Sequence, residues 1–293
     1  MKSNSPLRVQ FGGNAALITC ADPNLQQLLA RYFRHCHGDG MAPIVITYQI
    51  PAPIPLKETK ESGFLTEPNQ WQLWSDGQLL HAATEMFYIY IYLTREVVAK
   101  LVSCCQQAVI FHAAGLAYNG QGIIFCGASE SGKSTLAAWL TASGFDFLSD
   151  EMLAVSVSSG QMSGLTCPLV LKKESAFVWQ HWHPHLTDQD FINIFDGAVW
   201  LDPELLHPNC VQSVAFPRLL IFPRYAPHEP FAVQPLSAAQ TVFRLMARLI
   251  SFSHPIDGGL PVAKRLARQT MAYSLTYSEI NQATSWINKI ITD

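Results

Sequence analysis

The chain has 293 residues, 49% of them hydrophobic and 14% charged, a length that allows two domains or one large domain with an appendage. That apolar fraction supplies a sizeable core and excludes disorder over most of the chain. With 19 Lys plus Arg against 22 Asp plus Glu, the net charge is −3, which excludes a generally basic nucleic-acid binder but not a local basic groove.

Residues 1–10 lack the apolar stretch of a signal peptide. No apolar run reaches the roughly 18 residues of a membrane-spanning helix; the longest candidates, 86–93 and 104–117, are strand-sized or broken by Gln and His. The seven cysteines form no Cys-x-x-Cys pair, so reduced thiols and a cytoplasmic location are expected. The pair Cys104-Cys105 and Cys126 are expected to pack as small buried hydrophobes. The low charge leaves a greasy surface, which points to a partner or a homo-oligomer.

Residues 7–11, 15–20 and 43–50 read as strands. Asp22 can cap a helix over 23–33, with Leu25, Leu28, Leu29 and Tyr32 on its apolar face. Residues 51–62 carry three prolines and read as a surface loop. Residues 71–81 read as a hairpin turning at Asp76-Gly77. An aromatic-rich strand is expected over 87–93 and a helix over 94–103. This gives an N-terminal α+β region, 1–103, with a partner- or substrate-binding role in view.

From residue 104 the pattern becomes α/β. Strands at 115–118 and 122–126 flank Asn119-Gly120; a glycine-rich loop, a helix over 133–143, Gly144 and a strand over 145–149 follow. Beyond Gly160 come short strands, a His/Trp-rich stretch over 179–186 and a strand at 219–222. The C-terminal part is expected to be mainly helical. Ser237 and Gln240 form a capping box before 241–250, and helices are expected over 261–272 and 278–291.

Gly127-Ala128-Ser129-Glu130-Ser131-Gly132-Lys133-Ser134 matches the phosphate-loop pattern G-x-x-x-x-G-K-[ST] at every fixed position, with Thr135 next. The glycines let successive amides face one concavity, and the following helix adds the positive end of its dipole. Lys133 reaches the β- and γ-phosphates of a nucleotide, and Ser134 offers its hydroxyl to Mg²⁺. The sequence lacks an Asn-Lys-x-Asp guanine reader, a transport-ATPase signature and a protein-kinase His-Arg-Asp loop. His112 precedes Gly127 by fifteen residues, and Asp150-Glu151 begins twenty-three residues after it, at a strand end. In an open α/β sheet such strand ends converge on the ligand crevice, so the acidic pair should face the γ-phosphate and Mg²⁺.

Phe111-His112-Ala113-Ala114-Gly115, the loop, and Phe147-Leu148-Ser149-Asp150-Glu151 together resemble the HPr kinase/phosphorylase family. The likeness is stronger to the HPr-kinase-related proteins of bacterial biosynthetic and regulatory clusters, and phosphoenolpyruvate carboxykinase is a more distant relative. It spans about 45 residues, 112–155, and runs more weakly through Pro168-Leu169-Val170-Leu171-Lys172, Phe222-Pro223-Arg224-Tyr225 and Pro235-Leu236-Ser237. It implies a phosphate-loop NTPase fold of that type in 104–293, with a helical C-terminal part.

The resemblance also implies residue roles. Asp150 would accept the proton of a serine hydroxyl, Glu151 would bind or orient the metal, and His112 would sit beside the phosphates. The family's glycine-rich signature downstream of the aspartate has no clear counterpart here, so the resemblance does not carry over HPr as substrate or the reverse reaction. Lys172 and Arg224 are candidate phosphate or substrate cations.

Two histidine runs, His35-Cys36-His37 and His181-Trp182-His183-Pro184-His185, look metal-like but lack a second half with zinc spacing. The Trp/Phe-rich run of 177–182 reads as core or a groove wall. The expected activity is a Mg-ATP-dependent serine kinase acting on a hydroxyl of a peptide, a protein or a small molecule, with no nucleic acid or membrane involved. The alternatives are a nucleotide-binding, non-catalytic module of a complex and, third, a nucleotide hydrolase or metabolite phosphotransferase.

Overall fold

The computed structural model describes residues 5–37, 42–55, 69–175, 177–187, 190–194, 197–250 and 257–292. The chain divides into two compact units, Met1–Cys105 and Gln106–Asp293. Among the described residues no helix is long and apolar enough to cross a membrane.

The first unit holds strands β1 (Leu7–Phe11), β2 (Asn14–Cys20), β3 (Ile44–Ile50), β4 (Ile54–Pro55), β5 (Asn69–Ser75) and β6 (Gln78–Ala83). Its helices are α1 (Pro23–Tyr32) and α2 (Met86–Cys104). The sheet order is β1-β2-β3-β5-β4, with β6 beside β5. The crossover β2–α1–β3 joins a parallel pair. Asp22 caps α1 by accepting the Leu25 amide at 2.8 Å, and Leu25 and Leu29 are its buried face. The β5–β6 hairpin turns on Asp76 (φ 46°) and Gly77 (φ 79°), the left-handed pair a tight hairpin requires.

Two expectations fail in this unit. Residues 54–55, expected in a loop, pair with β5; the rest of that loop, 56–62, lies outside the described residues. Residues 87–93, expected as a strand, form the first half of α2. Ile89, Leu93, Val97 and Leu101 are fully buried at a spacing of four, so the helical period runs unbroken through the aromatic stretch. Aromatic and β-branched content argues for strand only while period and length are silent.

The second unit begins with β7 (Ala108–Tyr118), β8 (Gln121–Cys126), α3 (Lys133–Ala142), β9 (Asp146–Ser149), β10 (Met152–Ser156) and β11 (Met162–Gly164). Next come β12 (Leu169–Leu171), α4 (Phe177–Trp182), β13 (Ile192–Asn193), β14 (Val199–Leu201), β15 (Phe216–Tyr225) and β16 (Ala232–Pro235). It closes with α5 (Ala238–Met246), α6 (Leu260–Gln269), β17 (Met271–Tyr277) and α7 (Ile280–Thr292). An eight-stranded sheet runs β11-β10-β7-β8-β15-β17-β16, with β9 paired to β7. Strands β8, β15 and β17 are parallel. A three-stranded sheet, β12-β14-β13, lies apart. The fold is mixed α/β.

The large sheet is buried on both faces, and its sequence alternates accordingly. Leu116, Ile123, Phe125, Leu219 and Ile221 pack with Leu136 and Leu140 of α3 and with Ile287 of α7. Phe111, Ile124, Cys126, Leu220 and Phe222 pack with Leu245 of α5 and Leu266 of α6. Cys126 and Cys105 are buried as expected, and burial pushes the Cys126 thiol up to about 12. Cys104 is half-buried.

The C-terminal part is less helical than expected. The capping box is formed, Ser237 accepting the Gln240 amide while the Gln240 side chain accepts the Ser237 amide. Yet α5 starts at Ala238, and Met271 and Ala272, expected in a helix, belong to β17. Alternating burial along 271–277 is the period-2 signal of that strand.

Gly164 is a stringent packing point. A Cβ there would lie 2.0 Å from the Leu148 carbonyl oxygen, a backbone atom that cannot step aside. Gly164→Ala should cost about 2–3 kcal/mol of overpacking. Thermal unfolding should show it as a fall in Tm of about 5–10 °C; an unchanged Tm would mean that β9 and β11 are not packed this closely.

Candidate active site

Register gathers the site before any side chain is considered. Strand β7 lies between β8 and β10, with Ala113 opposite Cys126 and His112 opposite Met152. β7 also pairs β9, with Gly115 opposite Ser149. The end of β8, the end of β9 and the middle of β7 therefore lie side by side within the sheet. Residues 127–132 leave β8 there, and α3 begins at Lys133.

The loop bends through two left-handed residues, Glu130 (φ 65°) and Gly132 (φ 93°). Only glycine fits the second. A Cβ on Gly132 would stand 2.0 Å from Tyr277 Oη, and the positive φ adds strain. Gly132→Ala should therefore distort the loop, and calorimetry should record at least a tenfold loss of nucleotide affinity if the loop is the binding element. Retained affinity would separate binding from this backbone shape.

A cavity of about 1160 Å³ opens over the loop. Ser129, Glu130, Gly132, Lys133, Ser134 and Thr135 line it, and so do His112, Asp150, Glu151 and Lys172. Gly127, Ala128 and Ser131 are not among the lining residues. Arg224 is not brought to the cavity either. It precedes Tyr225, which does line the cavity, on the same strand; alternation turns it away. Its guanidinium instead forms a bidentate pair with Glu229.

Lys133 is 6% exposed. Its Nζ donates to the carbonyl oxygens of Gly127 (3.1 Å) and Ala128 (2.9 Å). Burial holds its pKa below the usual lysine value; Asp150 opposes that shift, and the nearby Arg248 guanidinium reinforces it. Arg248 also accepts the His112 amide on its carbonyl at 2.8 Å. Lys172 donates to Glu130 at 2.6 Å, which holds the Glu130 carboxyl below its usual range. Both side chains are well exposed, so this contact contributes little stability.

Asp150 is the anomaly of the site. It is 4% exposed, and neither carboxylate oxygen completes a hydrogen bond. Burial and the charge of Glu151 push its pKa up to about 7, against the favourable proximity of the Ser134 hydroxyl, the Val170 amide and Lys133. Burial disfavours the charged form of this carboxyl, whereas a divalent cation beside it would favour that form. Glu151 is exposed, and its carbonyl accepts the Ala113 amide.

Buried, unpartnered carboxylate oxygens facing a cavity are costly unless a ligand completes them. Beside them the Ser134 hydroxyl and the Glu151 carboxylate offer oxygen donors to the same cavity, which suits Mg²⁺. The residues present therefore fit a divalent cation held against the loop.

The sequence reading missed the back wall. Tyr225 and Tyr277 stand at the ends of the parallel strands β15 and β17, opposite one another in register. The Tyr225 amide donates to the Ser131 carbonyl at 3.1 Å, and Tyr277 Oη donates to the Gly132 carbonyl at 3.4 Å. The cavity continues along Ser278, Ile280 and Asn281 at the start of α7. The rule that ligands sit beyond the carboxyl ends of parallel strands would have found these residues had β17 been read as a strand.

Of the histidine runs, His181 stacks on Trp139 at 5.0 Å. His183 and His185 meet edge to face at 5.6 Å. His37 contacts the Arg8 carbonyl at 3.1 Å. Phe177, at the start of α4, is a groove wall: it lines the cavity and leans on Trp139 with centroids 6.0 Å apart.

No protein-family model matches the chain, and no curated protein matches it. Among solved structures it is similar to the HPr(Ser) kinase/phosphatase from Coxiella burnetii, at 12% identity and a TM-score of 0.31. The match covers 62% of this chain and 93% of that one.

Proposed function

We propose that the second unit is a phosphate-loop NTPase domain and that the protein is a Mg-ATP-dependent phosphotransferase. In this reading it is a serine kinase that modifies a hydroxyl of a peptide, a protein or a small molecule. The observation that supports it is the buried, unpartnered Asp150 facing the same cavity as Lys133 and Ser134. An anion-binding loop alone fits any phosphate ligand. A carboxylate held next to it carries a loss of stability that only cation binding or proton transfer repays.

Phosphoryl transfer asks the protein for positioning, charge neutralisation and an oriented nucleophile. The amides of 130–134 and Lys133 would cradle the β- and γ-phosphates. Ser134 and Glu151 would hold Mg²⁺, which neutralises phosphate charge when bound. His112 would sit beside the phosphates. The acceptor oxygen would form a bond to the γ-phosphorus as the bond to the β–γ bridging oxygen breaks; Asp150 would take the hydroxyl proton, and the bridging electron pair would leave on ADP.

The test is to incubate the protein with ATP and Mg²⁺ and to follow transfer to hydroxyl-bearing peptides against release of free phosphate. Transfer is expected. Tight ATP binding with neither transfer nor phosphate release would replace this reading by a nucleotide-binding module. Glu151→Gln separates metal from base: the Mg²⁺ concentration for half-maximal rate should rise about tenfold. An unchanged Mg²⁺ dependence would remove Glu151 from the metal site.

A further inference from the structure

The cavity, about 1160 Å³, has room for more than a triphosphate, and its wall carries side chains that a phosphate site does not need. Asp150 lies beside Ser134, Lys133 and Glu151, and His112 shares the cavity wall with them. Thr135, in the first turn of α3, lines the same wall as the loop residues Ser129, Glu130 and Gly132. The wall also holds Phe177 from α4 and Ile280 and Asn281 from α7, with the carboxylates Glu174 and Glu279 beside them. Both helices pack against α3.

Resting on the nucleotide reading above, we infer that Phe177, Ile280 and Asn281 form the seat for the aromatic base of the nucleotide and select adenine. Three observations carry this. Phe177 is 43% exposed although it sits in a wall, so an aromatic face is offered to a ligand. Its position is fixed from behind and from the side. Trp139 is 6% exposed and backs its ring. Ser175, two residues earlier, shares a 2.9 Å hydroxyl contact with Thr135 on α3. Finally, Asn281 offers one donor group and one acceptor on an exposed amide, the complement of the adenine N6 amino group and N7.

An aromatic face alone stacks any base, because every base has a π-face. The amide is the element able to discriminate. Stacking thus accounts for affinity toward nucleosides over bare phosphate, and Asn281 for adenine over guanine.

The experiment is calorimetric titration of the full chain with MgATP, MgGTP and magnesium tripolyphosphate. The wild type should bind ATP at least about tenfold more tightly than tripolyphosphate, the scale of a single base stack. Phe177→Ala and the volume-keeping Phe177→Leu should each lower the ATP-to-tripolyphosphate ratio severalfold. Asn281→Ala should narrow the ATP-to-GTP ratio while leaving the base stack in place.

Equal binding of ATP and tripolyphosphate by the wild type would overturn the base seat and leave the phosphate loop intact. Ratios unmoved in the Phe177 and Asn281 variants but lost in Tyr225→Ala would also overturn it, placing the base on the β15 wall. Failure of all three ligands to bind would overturn the nucleotide reading itself, and the base seat with it.

Discussion

Asp150→Asn should lower phosphoryl transfer by about 10²–10⁴-fold, the usual contribution of a general base. The substitution keeps shape and volume and removes only the proton acceptor. ATP affinity should hold or rise, because one negative charge near the phosphates disappears. The site sharpens this expectation: both Asp150 oxygens are buried without partners, so the amide inherits a place that already tolerates unmade hydrogen bonds. Single-turnover transfer and equilibrium binding, measured on the same preparation, decide the matter. Full transfer by Asp150→Asn would leave the kinase reading without a base.

Lys133→Ala should abolish measurable transfer and weaken nucleotide binding by about 10²-fold or more, the scale of losing a preorganised cation at developing charge. The fold should survive. The ammonium is buried against two loop carbonyls, and burial already works against its charge. Losing the two hydrogen bonds is offset in part by losing a desolvated charge. Circular dichroism melting checks that half, and ATP titration the other. Normal transfer by this variant would mean that the loop does not hold the phosphates. Arg224→Ala is the contrasting case: with its side chain paired to Glu229 away from the cavity, neither binding nor transfer should change.

Much of the site was legible because its signals are local. Residues 127–134 are contiguous, and the glycine positions state their own backbone requirement. His112 and the Asp150-Glu151 pair could be placed because each lies one strand from the loop, and strand ends in such sheets converge. The back wall was not legible for the opposite reason. Tyr277 reaches Gly132 across 145 residues, and no short-range pattern encodes that contact. Reading the C-terminal part as mainly helical erased β17, and with it the strand end that carries Tyr277.

The other misreading, at 87–93, came from composition overriding period. Aromatic density spoke for a strand, while Ile89, Leu93, Val97 and Leu101 kept a helical spacing across the boundary. Lys172 was legible as a cation near the loop, but its pairing with Glu130 was not. Glu130 occupies a variable position of the motif, and nothing in the sequence predicts what a variable residue will touch.

The distance from Gly132 to Tyr277 also sets an order of events during synthesis. At about 5–20 residues per second, the chain needs roughly 7–30 s after the loop has emerged to produce the strand that walls it. The hairpin of β7 and β8 is local and can pair at once, yet Gly132 has no hydroxyl behind it until β17 docks beside β15. A nascent chain in that interval carries a glycine-rich loop with one side open. Phosphate-binding competence should therefore appear late, once β17 has docked.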